Sequence, residues 1–485
     1  MSPRGFSRRA FLASVGAAMV GKPAMVRATP MNLPRPTPQQ LAWQRDELAL
    51  FVHFGVNTFS DREWGDGKED PAIFNPTQLD ARQWARAARV AGARAMILTA
   101  KHHDGFCLWP TATTRHSVAA SPWRSGHGDI VREFVDACRA EGLRAGLYCS
   151  PWDRNSDVYG DTPRYNDFYC EQLTELLTRY GEINEIWFDG ANGEGPNGRH
   201  QTYDWPRIHS LVRKLQPNGV MFSDAGPDVR WCGNELGVAG DPNWSMIDPA
   251  SVPRPGVGGE LVTAALQHGD PAGRVWRPAE CDVSIRPGWF HHSIEDAEVK
   301  SVDALMELWF SSVGRNAKLL LNVPPTQAGQ FHATDVKRLD AWRARRMQLF
   351  AEDFAARQRI RWSQIGAHRA VAEIDLGRTV NSGLLRLEEQ IDRGQRIARY
   401  VVHGAAETGD WRELTRGTTI GYCKLDRFRP TSLRRLRVTV LDALAAPLPT
   451  SIGIYPELDL SANGDSGGSK SRLGKASKHA ARLLG

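Results

Sequence analysis

Short apolar runs alternate with amphipathic stretches from about residue 38 to residue 324, and this alternation restricts the possible folds more than any other feature. Seven runs have the length of strands and show little alternation of apolar and polar residues. Such runs are typical of parallel strands that are covered on both faces. They are LALFVHFG (48–55), RAMILTAKHH (94–103), RAGLYCS (144–150), EIWFDG (185–190), VMFSDAG (220–226), VWRPAECDV (275–283) and AKLLLNVPP (317–325).

The segments between these runs carry helical signals. ARQWARAARVAGA and DIVREFVDACRAEG have helical spacing of apolar residues, and each has a glycine at or near its end, as helix C-termini often do. Repeated β–α units of this size build either a (β/α)8 barrel or an open doubly wound sheet. No G-x-G-x-x-G or G-x-x-x-x-G-K-[ST] motif follows a predicted strand, so the usual evidence for nucleotide binding is missing.

Nearly every predicted strand ends in polar residues, and this favours the barrel. In a (β/α)8 barrel, polar groups from many strand ends converge on one face, whereas an open sheet uses only the strands beside its switch point. The sequence therefore predicts a (β/α)8-type barrel over residues 38–356. The polar residues at the strand ends are His53, Lys101–Asp104, Tyr148–Ser150, Asp189, Asp224, Glu280, Asp282 and Asn322.

The pattern changes in the last part of the chain. A helix is predicted over Asp335–Phe354, and residues 357–456 then read as short alternating strands separated by Gly, Asn and Asp turns. These features predict a C-terminal antiparallel β-sandwich. Its predicted strands are RAVAEIDLG, LLRLEEQI, IARYVVHGAA, TTIGYCKLDRF and LRRLRVTVLDA. The Gly/Ser/Lys-rich tail, residues 461–485, is expected to be disordered.

The first 28 residues resemble a twin-arginine export signal. Arg8 and Arg9 precede Phe11 and Leu12, a short Ala/Gly/Val run and a small-residue end near Ala28. The apolar run is too short to span a bilayer, so no membrane span is expected in the mature chain. The alternative is a disordered basic tail. An export signal of this type predicts a protein that folds in the cytosol and is then moved to the periplasm or secreted.

Cysteine usage agrees with folding before export. The chain has seven cysteines, an odd number, with no C-x-x-C pair and no regular spacing. This pattern indicates mostly buried free thiols and not a disulfide or zinc framework.

The basic isoelectric point, about 9.0, first suggests a nucleic-acid partner. However, residues 1–28 carry five Lys or Arg and no acid, and residues 461–485 carry five Lys or Arg and one Asp. The chain between them therefore has a formal net charge of −3. It shows no basic face interleaved with aromatic residues, so no nucleic-acid partner is predicted.

Two carboxylates are the sharpest chemical candidates. Asp189 in NEIWFDGANG projects from a strand end, where an acid close to the core is costly unless it is paired or caps a turn. Glu235 in DVRWCGNELG follows on the loop of the next β–α unit, although a solvated loop acid is the alternative. Two carboxylates from adjacent strand ends suit a glycoside hydrolase. Glu280 and Asp282 compete with Glu235, because both lie on the next predicted strand.

Polar and aromatic side chains at the same strand ends could hold a sugar, which has both hydroxyl groups and apolar faces. Adjacent histidines could instead bind a metal, but neighbours on a strand point to opposite faces unless the strand has ended. There is also no H-E-x-x-H motif and no third ligand at regular spacing. No metal or cofactor is therefore predicted, and a metal-dependent hydrolase stays an alternative. The candidates are His53, His102, His103, Tyr148, Trp64, Trp109, Trp231 and Trp289.

Six motifs in order resemble those of glycoside hydrolase family 29, the α-L-fucosidases. The resemblance runs from about residue 38 to residue 325 and continues loosely to about residue 456. The combination of RWCGNE and SIRPGWF is similar to the branch of the family that prefers α-1,3/1,4-linked fucose on branched glycans. The motifs are FVHFGVNTFSDREWGDG, AKHHDGFCLWPT, EIWFDG, RWCGNE, AECDVSIRPGWFHH and SVGRNAKLLLNVPP.

This resemblance implies a retaining hydrolysis of fucosylated oligosaccharides or glycoconjugates, without a cofactor. Asp189 corresponds to the nucleophile, Glu235 to the general acid/base, and Glu280 is the reserve candidate for the second role. A broad-specificity fucosidase and a non-catalytic fucose-binding protein are the alternatives. The implied substrate contacts are His53, His102, His103 and Tyr148 to hydroxyls, Glu63 as a weaker hydroxyl contact, and Trp64, Trp231 and Trp289 as apolar faces.

Overall fold

The computed structural model describes residues 33–456. The export signal expected at 1–28 and the tail expected at 461–485 lie outside the described residues. Among residues 33–456, no helix has both the length and the apolar character that a membrane span requires. All seven cysteines lie in this part of the chain, and they are free and buried, as their spacing indicated.

Eight parallel strands close into a barrel, which confirms the expected (β/α)8-type fold. Closure occurs between the first and the last barrel strand, where Leu48 lies opposite Leu319. The barrel strands are β1 Leu48–Val52, β2 Ala95–Lys101, β3 Arg144–Cys149, β4 Glu185–Trp187, β5 Val220–Ser223, β6 Val229–Trp231, β9 Ala279–Ser284 and β10 Ala317–Asn322. Two short strands, β7 Met246–Ile247 and β8 Val275–Trp276, pair with each other in a separate antiparallel ribbon.

Helices cover the outside of the barrel. Asp80 and Asp129 accept hydrogen bonds from the backbone of the first turns of α3 (Ala81–Ala91) and α4 (Ile130–Ala140). They cap the two helices that the sequence predicts most clearly. The α-helices in the described residues are α1 Pro38–Gln44, α2 Val56–Ser60, α3 Ala81–Ala91, α4 Ile130–Ala140, α5 Thr162–Arg179, α6 Trp205–Leu215, α7 Glu260–His268, α8 Val302–Ser311 and α9 Ala333–Leu349.

The helix expected over Asp335–Phe354 ends earlier than its apolar pattern suggests. After Leu349 the chain turns toward the C-terminal domain, where the Phe354 amide donates to the Ile454 carbonyl at 2.8 Å. The Ile454 amide in turn donates to Asp353 Oδ1 at 2.9 Å. The first of these contacts uses the Phe354 amide, which a longer helix would have needed for its own hydrogen bonds.

Strand β6 is the barrel strand that the sequence did not reveal. It follows β5 after only residues 224–228, without an intervening helix, and pairs with it in parallel. It has three residues, and its centre is Arg230, which is fully buried. The Arg230 guanidinium donates to the Leu266 carbonyl and to Asn243 Oδ1. A buried, fully hydrogen-bonded arginine breaks the apolar run by which a barrel strand is recognised.

The C-terminal domain is an antiparallel β-sandwich, as expected, but its strands are longer than predicted. RAVAEIDLG and the first six residues of LLRLEEQI belong to one strand, β12 (Arg369–Glu389). It pairs with β11 (Trp362–Gly366) through its first part and with β16 (Pro449–Tyr455) through its last part. The segment TTIGYC is not a strand, because Asn316 of the barrel and Glu389 accept the Tyr422 and Gly421 amides. The strands are β11 Trp362–Gly366, β12 Arg369–Glu389, β13 Ile397–Ala405, β14 Arg412–Gly417, β15 Lys424–Ala443 and β16 Pro449–Tyr455.

The interior of the barrel is filled, so a binding site has to lie at an end of the barrel and not inside it. Trp187 stacks on Phe222 with ring centroids 4.2 Å apart, and Phe51 packs 5.1 Å from Trp187. Because the strands are parallel, their carboxyl ends meet at one rim, and the loops that follow them form the mouth of the barrel.

Candidate active site

The mouth brings together the polar residues that follow the strands. His53 follows β1, His102 and His103 follow β2, and Asp189 follows β4. Tyr148 lies at the end of β3, and its hydroxyl donates to Asp189 Oδ2 at 3.1 Å. The sequence prediction that these strand ends converge is therefore consistent with the geometry.

Asp189 is held by short contacts but keeps access to solvent. The Ala191 amide donates to its Oδ1 at 2.7 Å, and His103 Nε2 lies 3.8 Å from its Oδ2. Its side chain is 28% exposed. The hydrogen bonds from Tyr148 and Ala191 fix the orientation of the carboxylate, and its open side faces the solvent of the mouth.

The two adjacent histidines face the same site. Strand β2 ends at Lys101, so the alternation of a strand no longer applies to His102 and His103. Their ring centroids are 4.1 Å apart, and the ring of His53 lies 5.6 Å from that of His102. Burial lowers the pKa of all three, that of His53 to about 3, so the rings are neutral at physiological pH.

The hydrogen bonds of Asn322 determine the tautomer of His53. Asn322 Nδ2 donates to the Trp289 carbonyl at 2.8 Å and to Ser284 Oγ at 2.9 Å. Its Oδ1 is therefore the atom that accepts from His53 Nδ1, at 2.9 Å. With the proton on Nδ1, the other ring nitrogen of His53 is a hydrogen-bond acceptor.

His103 has the same arrangement through Ser150. The Ser150 hydroxyl donates to the Trp152 carbonyl at 2.7 Å, so its oxygen accepts from His103 Nδ1, also at 2.7 Å. His103 Nε2 is consequently an acceptor beside Asp189. The site therefore presents two imidazole acceptors and a carboxylate, a set that suits a ligand rich in hydroxyl donors.

Glu235 occupies the loop after β6, exposed to solvent at the edge of the mouth. Partial burial and the negative charge of Asp189 raise its pKa, and a hydrogen bond from the Trp289 side chain opposes this rise. Asp282 lies beside it, buried, with its Oδ1 accepting from Trp231 Nε1 at 2.7 Å. Burial and the charge of Glu235 raise the pKa of Asp282 as well. Glu235 thus combines access to solvent with a tendency to hold a proton.

Glu280 lies in a different place. It is fully buried near the amino end of β9, where its Oε1 accepts from Trp187 Nε1 at 3.0 Å. Its Oε2 lies 3.5 Å from Lys318 Nζ, which also contacts Glu185 at 2.8 Å. Burial raises the pKa of Glu280 well above its ordinary value. The geometry therefore favours Glu235 over Glu280 as the partner of Asp189.

Of the four tryptophans predicted to offer apolar faces, three lie at the mouth and one lies in the core. Trp289 lies 5.1 Å from His53, and the exposed Trp64 lies 6.4 Å from His103 between ring centroids. Trp231 packs with the aromatic cluster that includes Trp289. Trp109, expected to offer a flat face to a sugar, is wholly buried, so that expectation is wrong. The chain folds back along β2 after His103, with the Leu108 amide bound to the Ala100 carbonyl, and this carries Trp109 into the core.

Glu63 has protein partners that the sequence did not suggest. Its carboxylate accepts the backbone amides of Trp289 and Phe290 at 2.8 and 3.0 Å. His292 Nε2 lies 2.7 Å from Glu63 Oε1. The side chain is 37% exposed, so a ligand hydroxyl could still reach it.

Sequence reasoning missed Trp152. Its ring lies 4.9 Å from that of His103 and 6.3 Å from that of Trp64, and its Nε1 donates to the Glu194 carbonyl at 3.0 Å. An aromatic residue directly after the β3 strand end was the available signal. Its position makes it a further aromatic wall of the mouth.

Asp224, at the end of β5, was predicted as a strand-end acid but was given no role. Its Oδ2 accepts the Gly256 amide at 2.8 Å. The pKa of the Asp224 carboxyl is raised to about 6, mainly by burial and to a smaller extent by the negative charge of Asp189. Asp224 therefore ties the loop around Gly256 to the mouth.

Within residues 33–456, no three His, Cys, Asp or Glu side chains are grouped so as to hold a metal ion.

Comparison with known proteins gives the same picture over most of the chain. The family model described as Alpha-L-fucosidase matches residues 43–344. Alpha-L-fucosidase 1 of Arabidopsis thaliana is 42% identical over 452 residues, covering 87% of this chain and 88% of that protein.

Solved structures agree in fold as well as in sequence. A glycoside hydrolase 29 family member from a rumen bacterium has 40% identity and a TM-score of 0.82, covering 89% of this chain and 79% of that one. A Ruminococcus gnavus GH29 fucosidase in complex with fucose has 30% identity and a TM-score of 0.80, covering 88% of this chain and 95% of that one.

Proposed function

Because this chain belongs to the α-L-fucosidases of glycoside hydrolase family 29, we propose that it removes L-fucose by a retaining double displacement. Asp189 is the proposed nucleophile and Glu235 the proposed general acid/base. The observation that supports the proposal most is the contrast between these acids in one mouth. Asp189 is oriented by hydrogen bonds from Tyr148 and Ala191, while burial and the charge of Asp189 raise the pKa of Glu235.

The first half of the reaction forms a covalent bond. An Asp189 oxygen attacks the anomeric carbon, the bond to the glycosidic oxygen breaks, and Glu235 donates its proton to that departing oxygen. Retention requires the two carboxyl groups to lie about 5–5.5 Å apart. The negative charge of Asp189 supports this role for Glu235, because it keeps the neighbouring proton in place until the leaving group needs it.

The second half restores the enzyme. Glu235, now ionised, takes a proton from water, and the resulting hydroxide attacks the anomeric carbon and releases Asp189. The acceptor nitrogens of His53 and His103, with the Tyr148 hydroxyl, are proposed to bind the fucose hydroxyls. Trp64, Trp231 and Trp289 are proposed to cover its apolar faces. An imidazole acceptor is well suited to a hydroxyl, which donates one hydrogen.

The stereochemistry of the first product tests the mechanism directly. Hydrolysis of an aryl α-L-fucoside, followed by proton NMR before mutarotation, should show α-L-fucose as the first product. An enzyme that releases β-L-fucose first would use a single displacement, and the nucleophilic role of Asp189 would then be wrong. The rate of fucose release in the same sample shows independently that the enzyme preparation is active.

We further propose that the preferred substrates are branched glycans that carry α-1,3- or α-1,4-linked fucose. The motif combination RWCGNE and SIRPGWF supports this preference, and both motifs border the mouth around Glu235 and Trp289. A second sugar branch beside the leaving group can supply binding energy that is used in the transition state.

Export in a folded state is proposed from residues 1–28. Replacing both Arg8 and Arg9 by lysine should leave active enzyme in the cytosol, because the twin-arginine pathway depends on the arginine pair. Cell fractionation with an activity assay measures the outcome. Unchanged export of the double variant would overturn the proposal.

A further inference from the structure

Three side chains join the loop after β1 to the loop after β9. His292 Nδ1 lies 2.6 Å from Asp61 Oδ1, and His292 Nε2 lies 2.7 Å from Glu63 Oε1. Both ring nitrogens therefore face a carboxylate, an arrangement that suits an imidazolium with two donors. Asp61, Glu63 and His292 are named the loop clamp below.

The charges around the loop clamp agree with its geometry. Burial opposes protonation of His292, but the hydrogen bonds to Asp61 and Glu63 outweigh it and raise the pKa of the ring. Glu295 also faces His292 and acts in the same direction. Only 11% of the His292 side chain is exposed, against 71% for Asp61. The histidine is thus a nearly buried connection between an exposed acid and Glu63.

The other side of Glu63 holds the backbone that carries Trp289. Its carboxylate accepts the amides of both Trp289 and Phe290. The Trp289 carbonyl accepts from Asn322, which also orients His53. The backbone of Trp289 is therefore held at its N–H by the loop clamp and at its C=O by the residue that sets the His53 tautomer.

The position of Trp289 matters for both halves of the proposed site. Its ring lies 5.1 Å from His53, and its side chain is close enough to Glu235 to lower the pKa of that carboxyl. The neighbouring Phe290 ring packs edge-on against His53 at 5.5 Å and against His102 at 5.1 Å. A shift of this loop would therefore displace the groups that contact His53, His102 and Glu235 at the same time.

We propose that His292 is a positioning residue that, with Asp61, fixes Glu63 and thereby places Trp289 between Glu235 and His53. This inference rests on the proposed role of Glu235. It gives Glu63 a structural task in addition to the hydroxyl contact that the family resemblance implies.

His292→Ala, Asp61→Asn and a matched control, Asp66→Asn, test the proposal. Asp66 is an exposed acid of the same loop that contacts Arg62 and the Lys68 amide and makes no contact with His292. We expect kcat/KM of His292→Ala to fall about 10- to 100-fold, since small displacements in a site are costly. Asp61→Asn should lose about 2- to 5-fold, as an exposed ion pair contributes little. The control should stay within about twofold of wild type.

Two readouts separate positioning from a general structural defect. Imidazole added to His292→Ala should restore part of kcat by occupying the vacated space between Asp61 and Glu63. In His292→Ala a displaced Trp289 no longer stabilises the Glu235 carboxylate, so the pKa of Glu235 should rise. The alkaline limb of the pH profile of kcat/KM should therefore move to higher pH. Trp289→Phe, which removes the indole N–H, should move the limb in the same direction. Asp189, Asp282 and Glu63 also face Glu235, and they are unchanged in both variants.

The outcomes are decisive in each case. A folded His292→Ala enzyme with wild-type kcat/KM overturns the proposal, and so does a loss of activity without imidazole rescue and without a shifted alkaline limb. If His292→Ala does not fold, the surface variant Asp61→Asn decides, and equality with Asp66→Asn overturns the proposal. Inactivity of wild type and control on an aryl α-L-fucoside would instead refute the proposed function and not the loop clamp alone.

Discussion

At the scale of single residues, Asp189 and Glu235 are both acids at the end of a short barrel strand, yet their surroundings divide them. Backbone and phenol donors surround Asp189, whereas Glu235 has the charge of Asp189 and partial burial acting on it. The donors orient the oxygens of Asp189, whereas burial and a neighbouring like charge favour the protonated form of Glu235. The proposed division of labour follows from this difference.

Asp189→Ala should abolish turnover while the fold stays intact. Loss of a covalent nucleophile removes the reaction path, so a fall in kcat of about 10³-fold or more is expected. Azide should restore some activity by attacking the open anomeric carbon and should yield β-fucosyl azide, identified by NMR. Asp167→Ala, an exposed acid on α5 paired with Arg207, is the control. A turnover rate of Asp189→Ala close to that of wild type would contradict the role of Asp189 as nucleophile.

Glu235→Ala should show a strong dependence on the leaving group. An activated phenol departs without a proton, whereas a sugar does not, so the loss should be far greater on an oligosaccharide. On the activated fucoside a burst should precede steady state, because the same residue must later deprotonate water. Stopped-flow measurement of phenol release detects the burst, and steady-state rates on the two substrates measure the losses. Equal losses on the two substrates would contradict the role of Glu235 as acid/base.

At the scale of elements, buried charges join three barrel strands. Glu185 of β4 and Glu280 of β9 both contact Lys318 of β10, and all three side chains are almost fully buried. Trp43 of α1 donates to Glu185 at 2.9 Å and so extends the network to the helix that precedes the barrel. A residue that is deep in such a network is suited to holding strands together and not to exchanging protons with a substrate.

Glu280→Ala should therefore affect stability more than chemistry. Removal of the Glu280 carboxylate leaves the buried Trp187 Nε1 without an acceptor, which is expected to lower the free energy of unfolding by about 1–3 kcal/mol. Denaturant unfolding followed by fluorescence measures this change. Glu280→Gln, which keeps an acceptor for Trp187, should lose less. Neither variant should show the leaving-group dependence of Glu235→Ala, and if Glu280→Ala shows it, the two assignments must be exchanged.

At the scale of the whole molecule, the barrel supplies the mouth, and the loops around Glu235 and Trp289 supply the surface beside it. We expect kcat/KM to be much higher for a Lewis-type trisaccharide than for an aryl fucoside or for α-1,2-linked fucose. The reason is that binding energy from the second branch is realised in the transition state. Steady-state kinetics on the three substrates measure it. Similar values on all three would place the enzyme among broad-specificity fucosidases.

The sequence by itself determined the barrel and the sandwich, and it named the candidate acids and histidines of the mouth. Strand and helix periods are local properties, so the apolar runs and the acids that end them are visible without a structure. The strand Val229–Trp231 was hidden, because the buried Arg230 finds its hydrogen-bond partners in distant segments.

Only the tertiary structure decided which of the similar residues serve the mouth. Glu280 and Glu235 are both acids near strand ends, but Glu280 is enclosed with Lys318 while Glu235 reaches solvent. Trp109 lies in the core and Trp152 at the rim of the mouth, although each is an aromatic residue in the loop that follows a barrel strand. Burial and charge pairing depend on residues far away in the chain, so a local pattern names the candidates and long-range packing selects among them.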